Sequence, residues 1–322
     1  KYALEGAEVL IFIIKRILAA IPVLIIVTVI AFSLIYMIPG DAAIVAAGEN
    51  ASQERIEQVR EQMGLNRPAI VQYFVWMGEL LTGNLGTSLI SGHTNAEMIA
   101  TALPVTVSLA LLALTWSLIA GVLIGTLAGL NRDSWIDRTL TALTTFGLAV
   151  PTFWIGLILV VTFALQLRMF PATGFTPITE GVGPWLSHLV LPALALGTTT
   201  AAEIARQTRA GMIDVLEQDY IRTATAKGLP RWIVVGKHTT KNAAIPVVTV
   251  FGLQAAALIG GSVIIEQVFA MPGLGSLALR SIIERDFPVI QAFVVVVTLF
   301  VLAINLLVDI SYAYFNPKVR QS

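Results

Sequence analysis

The 322-residue chain is 56% hydrophobic and only 12% charged, with a mean hydropathy of +0.82. Soluble domains carry about a quarter charged residues, so an ordinary water-soluble enzyme is excluded. Lys plus Arg and Asp plus Glu number 20 each, so the formal net charge is zero and no overall basicity points to nucleic acid. Without cysteine there is no disulfide, thiolate nucleophile, zinc-thiolate site or iron–sulfur cluster.

A bilayer core about 30 Å thick requires roughly 20 apolar residues per helix, because every backbone polar group must be satisfied within the segment. Six segments are expected to meet that need, making the chain an all-α integral membrane protein. After Lys1–Leu10, which shows little pattern, Ile17 to Ile38 is free of charge and follows Lys15 and Arg16. It is too long for a secretory signal core and no A-x-A site follows, so it reads as a retained span. Residues 39–102 form an insertion between the first and second spans. Asn50-Ala51-Ser52-Gln53 reads as a helix start, Ile56, Val59 and Met63 share a face, and Gly64 is a stop. A second apolar stretch, Ile70 to Leu81, carries Tyr73, Phe74 and Trp76.

The second span is expected from Leu103 to Leu130, with Pro104 in its first turn and Gly121, Gly125 and Gly129 forming a small-residue packing face. That face could pack internally or against another subunit. The third runs from Thr139 to Leu167, where Pro151 can kink the helix and shape a cavity or serve packing. The fourth, about Trp185 to Ala202, is interrupted by His188 and Pro192. Residues 203–242 then form a polar connection holding seven Lys/Arg and four Asp/Glu. Within it Asp219 can cap a short helix over Tyr220-Ile221-Arg222-Thr223-Ala224-Thr225-Ala226-Lys227, stopped by Gly228 with Pro230 beyond. Small residues would allow close approach of a partner, with Tyr220 and Ile221 as apolar anchors, which suits helix-in-groove docking. A plain capped surface helix is the alternative. The fifth span is Ala243 to Ile265 and the sixth Val289 to about Phe315. In the sixth, Asn305 and Asp309 share a face, and a polar pair near the interface is favoured over a pathway ligand.

Orientation follows the Lys/Arg asymmetry of the connections. With a cytoplasmic N-terminus only six of the 20 basic residues, Arg55, Arg60, Arg67, Arg168, Arg280 and Arg285, fall outside, so both termini are expected to be cytoplasmic. Catalytic patterns are absent. No G-x-x-x-x-G-K-[ST] phosphate loop occurs; Gly236-Lys237 is followed by His238 and has Arg231 where the leading Gly belongs. His93, His188 and His238 are scattered, no H-E-x-x-H occurs, and no G-x-S-x-G marks a nucleophile.

In order along the chain, Met63-Gly64-Leu65-Asn66-Arg67-Pro68, Gly83-Asn84-Leu85-Gly86-Thr87-Ser88, Phe170-Pro171-Ala172-Thr173-Gly174 and His188-Leu189-Val190-Leu191-Pro192-Ala193 precede the phrase Asp219 to Leu229. Lys241-Asn242-Ala243-Ala244-Ile245-Pro246, Glu266-Gln267-Val268-Phe269 with Pro272-Gly273-Leu274-Gly275, Asn305 to Asp309 and Asn316-Pro317-Lys318 follow it. Together they resemble the permease subunits of binding-protein-dependent ABC importers in the peptide/nickel branch. Arg222 stands where the general importer motif has Glu, Ala224 and Gly228 match, and Ile245-Pro246 is displaced; Asn84 replaces a more usual Asp.

The resemblance implies a type I importer permease fold with an extracytoplasmic insertion. It divides the chain into 1–38 (tail and first helix), 39–102 (insertion), 103–315 (five-helix core with coupling loop 203–242) and 316–322 (tail). It also implies a bacterial inner-membrane location, a homologous second permease, two ATP-binding subunits, an extracytoplasmic substrate-binding protein and a peptide substrate. ATP and Mg would be bound by the partners, with no cofactor in this chain. Tyr220, Ile221, Arg222, Ala224, Ala226, Lys227 and Gly228 would couple to the ATPases, and Pro151, Asn305 and Asp309 are pathway or packing candidates. An ion-coupled secondary transporter or channel acting alone is the alternative; it needs intramembrane ion ligands and usually an inverted repeat, and neither is visible.

Overall fold

A computed structural model describes residues 2–37, 41–48, 51–230, 233–234, 236 and 240–315. His238, Lys237, Arg231, Asn50 and Asn316-Pro317-Lys318 lie outside the described residues. In chain order the helices are α1 (Tyr2–Ser33), α2 (Ala42–Ala47), α3 (Gln53–Gln62), α4 (Ala69–Leu81), α5 (Asn95–Leu130), α6 (Trp135–Ala149) and α7 (Thr152–Leu159). They continue with α8 (Val182–Leu216), α9 (Asp219–Ala226), α10 (Thr240–Val268), α11 (Leu274–Glu284) and α12 (Phe287–Phe315). Among the described residues there is no strand, only one isolated bridge between Thr87 and Thr94.

Among the described residues four stretches are long and apolar enough to cross a membrane: Ile13–Met37, Asn95–Leu130, Val182–Leu216 and Phe287–Val308. The expected third span is not one straight helix. Trp135–Ala149 and Thr152–Gln166 meet at 103°. The cause is local: Val150 is extended (φ −85°, ψ 129°) ahead of Pro151, whose ring disfavours helical backbone in the preceding residue. Pro151 itself (ψ 136°) opens α7, which then widens into a π-helix over Val160–Gln166. The fourth segment is longer than expected. His188 and Pro192 lie inside a continuous 35-residue α8 that passes Ala202 and runs on to Leu216, so residues 203–216 are helix. Its buried face, including Leu189, Leu191, Ala195, Ile204 and Met212, is held by neighbouring helices, which offsets the hydrogen bond that proline removes. α10 is 29 residues long and has no charge between Asn242 and Glu266.

The described contacts divide the chain into two units. One comprises Leu10–Val105 and Pro272–Ala303. Here Ser52 caps α3 by accepting the Arg55 N–H, and Ile56 and Val59 pack with Ile35, Ala43, Ala46 and Phe287. Thr28 and Tyr73 hydrogen-bond at 3.0 Å while Phe32 meets the rings of Tyr73 and Trp76, which fixes α4 along α1. The turn after α4 is closed by Asn84, whose Oδ1 accepts the Gly86 N–H at 2.9 Å. The buried Asp286 carboxylate accepts the Ser88 hydroxyl and the Leu89 N–H (3.2 Å).

The other unit comprises Thr106–Met271 with Lys1–Val9 and Ile304–Ser322. α5 and α8 approach closely here. A Cβ on Gly121 would lie 2.7 Å from Ile204 Cβ, one on Gly125 2.4 Å from the Ala205 carbonyl oxygen, and one on Gly129 2.7 Å from Met212 Cβ. The glycine face is thus an internal helix–helix contact, and Trp116 donates its Nε1–H to the Ala193 carbonyl (2.9 Å) beside Gly197.

Candidate functional site

The short helix α9 begins at Gln218, which is extended (ψ 145°); Asp219 is therefore the first helical residue and not the cap. There its carboxylate still favours the helix dipole, and it stands 3.6 Å from the Arg222 guanidinium, both groups exposed. At the other end Leu229 N–H bonds the Ala224 carbonyl (3.3 Å), Gly228 N–H bonds the Thr225 carbonyl (2.9 Å), and Gly228 has φ +78°. This is a Schellman closure, in which glycine takes the left-handed position. Leu229 packs back on the helix it terminates.

The helix has two faces. Ile221 and Ala224 are buried with Val234 against Val215, Leu216 and Leu229, so they anchor α9 to its own chain and do not project outward as a docking surface. Tyr220 (45% exposed), Arg222, Thr223, Ala226, Lys227 and Gly228 face outward. The hydroxyls of Thr223 and Thr225 bond the Asp219 and Ile221 carbonyls, each at 2.9 Å. What remains is a small, smooth surface flanked by an aromatic ring and two cations.

The helix is mounted on a braced stem. Arg209 of α8 donates two hydrogen bonds to Asp137 near the start of α6 (2.6 and 2.8 Å), and Asp137 also accepts the Asp133 N–H (3.0 Å). Arg132 pairs with Glu217, two residues before α9. Sequence reasoning assigned no role to Asp137 or Arg209. Their pairing joins positions 72 residues apart, which no local pattern signals.

Of the pathway candidates, Pro151 marks the break between α6 and α7. Asn305 is exposed, and Asp309 lies four residues on along α12. A second acidic residue, Glu266, is fully buried near the end of α10, where it accepts the hydroxyls of Thr106 (2.6 Å) and Ser262 (3.1 Å). Three residues later, just past the end of α10, the Phe269 carbonyl accepts the Gly174 N–H (2.8 Å), joining two phrases singled out in the sequence. Glu266 was passed over because it falls one residue beyond the expected fifth span. Among the described residues no group of three His, Cys, Asp or Glu could hold a metal ion.

Two family descriptions match the chain: "binding-protein-dependent transport system inner membrane component" over residues 121–321, and the N-terminal membrane component of the same systems over residues 9–110. The chain belongs to this permease family. A putative peptide transport system permease of Brucella abortus is 42% identical over 308 residues, covering 96% of this chain and 98% of that protein. The glutathione transport system permease of Pectobacterium atrosepticum is 43% identical over 309 residues, covering 96% and 98%. Among solved structures, the inward-facing MetNI methionine ABC transporter matches 69% of this permease and 97% of its own chain, with a TM-score of 0.58 at 16% identity. That likeness is one of fold. The permease is a multi-pass inner-membrane subunit of a binding-protein-dependent ABC importer.

Proposed function

We propose that this permease forms one half of the translocation pathway of an importer for short peptides, and that α9 is the element by which it senses ATP turnover in its partners. Relatives named as peptide and glutathione permeases at 42–43% identity support the substrate class. The assembly proposed has a homologous second permease, two cytoplasmic ATPases that bind ATP and Mg, and a substrate-binding protein on the far side. Both termini are cytoplasmic and the insertion 39–102 meets the binding protein. Residues 1–38, 39–102, 103–315 and 316–322 are the proposed divisions, with six spans in all, α6 and α7 making up one and α10 another.

The observation that carries the coupling reading is the two-faced α9, anchored inward by Ile221 and Ala224 and outward-facing at Tyr220, Arg222, Ala226, Lys227 and Gly228. Closure of the ATPases would push this surface, and the Arg132–Glu217 and Arg209–Asp137 pairs would pass the movement into α6 and α8. Gly228→Trp tests it. No atom lies within 4 Å of a Cβ at Gly228, so the side chain projects into the partner surface. ATP hydrolysis should persist while uptake collapses, and Gly228→Asn, which tolerates the left-handed backbone, should transport. Normal uptake by Gly228→Trp would refute the coupling role.

A further inference from the structure

The unit built from Leu10–Val105 and Pro272–Ala303 holds a cleft of about 400 Å³ between the start of α5 and the helix α11. Met98, Ala102, Pro272 and Leu277 supply apolar lining, and the buried cluster of Ile99, Ala102, Leu274 and Ala292 lies in the same two helices and α12. Two charges of opposite sign line it, Glu97 from α5 and Arg280 from α11. Both side chains are exposed, and among the described residues neither has an ion-pair partner within 4 Å. On the charge-derived orientation both lie on the extracytoplasmic side.

We propose that this cleft is a vestibule subsite for a zwitterion, a short peptide whose ammonium group faces Glu97 and whose carboxylate faces Arg280; the inference rests on the peptide reading above. A concave, largely apolar volume with a few placed polar groups is the usual form of a small-molecule site, and 400 Å³ is within its size range. An extended chain spans at most about 3.6 Å per residue, so di- and tripeptides are about 7–11 Å long. The two charges fix the termini that every peptide shares. The apolar lining, with the adaptable thioether of Met98, leaves the side chains unspecified. A guanidinium is suited to a carboxylate because its forked donors match the two oxygens.

The cysteine-free sequence provides the test. Thr101, which lines the cleft and is exposed, is replaced in the assembled transporter by Thr101→Cys, giving this chain a single thiol whose maleimide labelling is timed in nanodiscs. Alanyl-alanine should slow labelling by about fivefold at saturation, whereas N-acetyl-alanyl-alanine amide should not. Adding Glu97→Gln or Arg280→Gln should abolish the protection, and Glu97→Asp or Arg280→Lys should restore part of it. Absence of protection, equal protection by the blocked peptide, or protection surviving both neutralisations would overturn the proposal. Protection by the binding protein alone would also overturn it, in favour of a docking surface. Uptake of alanyl-alanine by the unmodified transporter separates the two readings: uptake without protection removes only the subsite, and no peptide uptake at all removes the peptide reading itself.

Discussion

The contact between α5 and α8 yields a quantitative expectation for Gly125→Ala. The added methyl would stand 2.4 Å from the Ala205 carbonyl oxygen, 2.5 Å from Thr208 Cβ and 3.0 Å from the Arg209 amide nitrogen. Ordinary contact begins near 3.4 Å, so relief requires the two helices to separate by about 1 Å. Two of the three obstructing atoms are backbone, so no rotamer change relieves them. Separation also loosens the equally tight contacts at Gly121 and Gly129 and pulls on Arg209, whose side chain holds Asp137. Overpacking of this kind costs about 1–3 kcal/mol, and the better helix propensity of alanine returns up to about 1 kcal/mol. A net loss of about 1–2 kcal/mol is expected, equivalent for a chain of this length to a fall in Tm of about 1.5–3 °C. The assay is thermal unfolding of the purified permease in detergent, followed by tryptophan fluorescence. Gly183→Ala in the first turn of the same α8 is the control, because a Cβ there meets nothing within 4 Å. If Gly125→Ala unfolds at or above the temperature of the parent while Gly183→Ala is unchanged, the close approach of α5 and α8 is wrong.

Asp286→Ala removes the acceptor of the Ser88 hydroxyl and the Leu89 amide. Leaving the buried Ser88 hydroxyl unmet should cost about 1–3 kcal/mol and the partly buried Leu89 amide less, and residues 84–94 should become the first site of limited proteolysis; an unaltered cleavage pattern would contradict that pin. Ile221→Asp places a charge in the buried cluster under α9 and should free the helix, reducing uptake more than ATP turnover. Equal uptake would show that the anchor is dispensable. Pro151→Ala relaxes the restriction on Val150, so spin labels at introduced cysteines replacing Leu143 and Leu165 should report a broader distance distribution, and an identical one would place the cause of the break elsewhere. The Arg60 guanidinium and the Ala43 N–H bonded to Asp41 hold its carboxyl below the usual carboxylate range. A lowered folded-state pKa contributes stability that is complete above the unfolded value, about 3.9, and lost as pH falls through the folded one. Asp41→Asn should therefore remove an acid-induced loosening of α2 and α3 that begins only below about pH 4, as read by protease sensitivity. The pair is partly exposed and its worth correspondingly small.

What the sequence made legible and what it hid divide along the range of the interactions. A helix start within Asn50 to Gln53, Gly64 and Gly228 as stops, and Ile56 with Val59 on one face depend on residues within a turn or two, and local chemistry decided them, although the cap itself is Ser52, which the sequence did not single out. The glycine series was legible as a packing face but not its partner, because the spacing of small residues on one helix says nothing about which helix approaches. Pro151 and Pro192 show why local signals lose force inside a bundle. Both lie in apolar segments, yet one ends a helix and the other is absorbed within α8. Pro192 is buried among residues that keep the helix continuous, while Pro151 is exposed and follows a residue already extended. The polar pins lie furthest from sequence reasoning: Asp137 with Arg209 across 72 positions, Glu266 with Thr106 across 160, and Ser88 with Asp286 across 198. A carboxylate excluded from water must find donors, but its own neighbourhood in the chain does not say where. Their placement follows from which helices are already packed together by small and apolar residues. The legible part of the sequence therefore builds the frame, and the long-range pairs assign polar roles that become readable only once that frame exists. That order explains why α9 could be anticipated as a short, separately closed helix from its composition, while the face it presents could not: Ile221 is indistinguishable from an outward anchor until Val215, Leu216 and Val234 are known to lie beneath it.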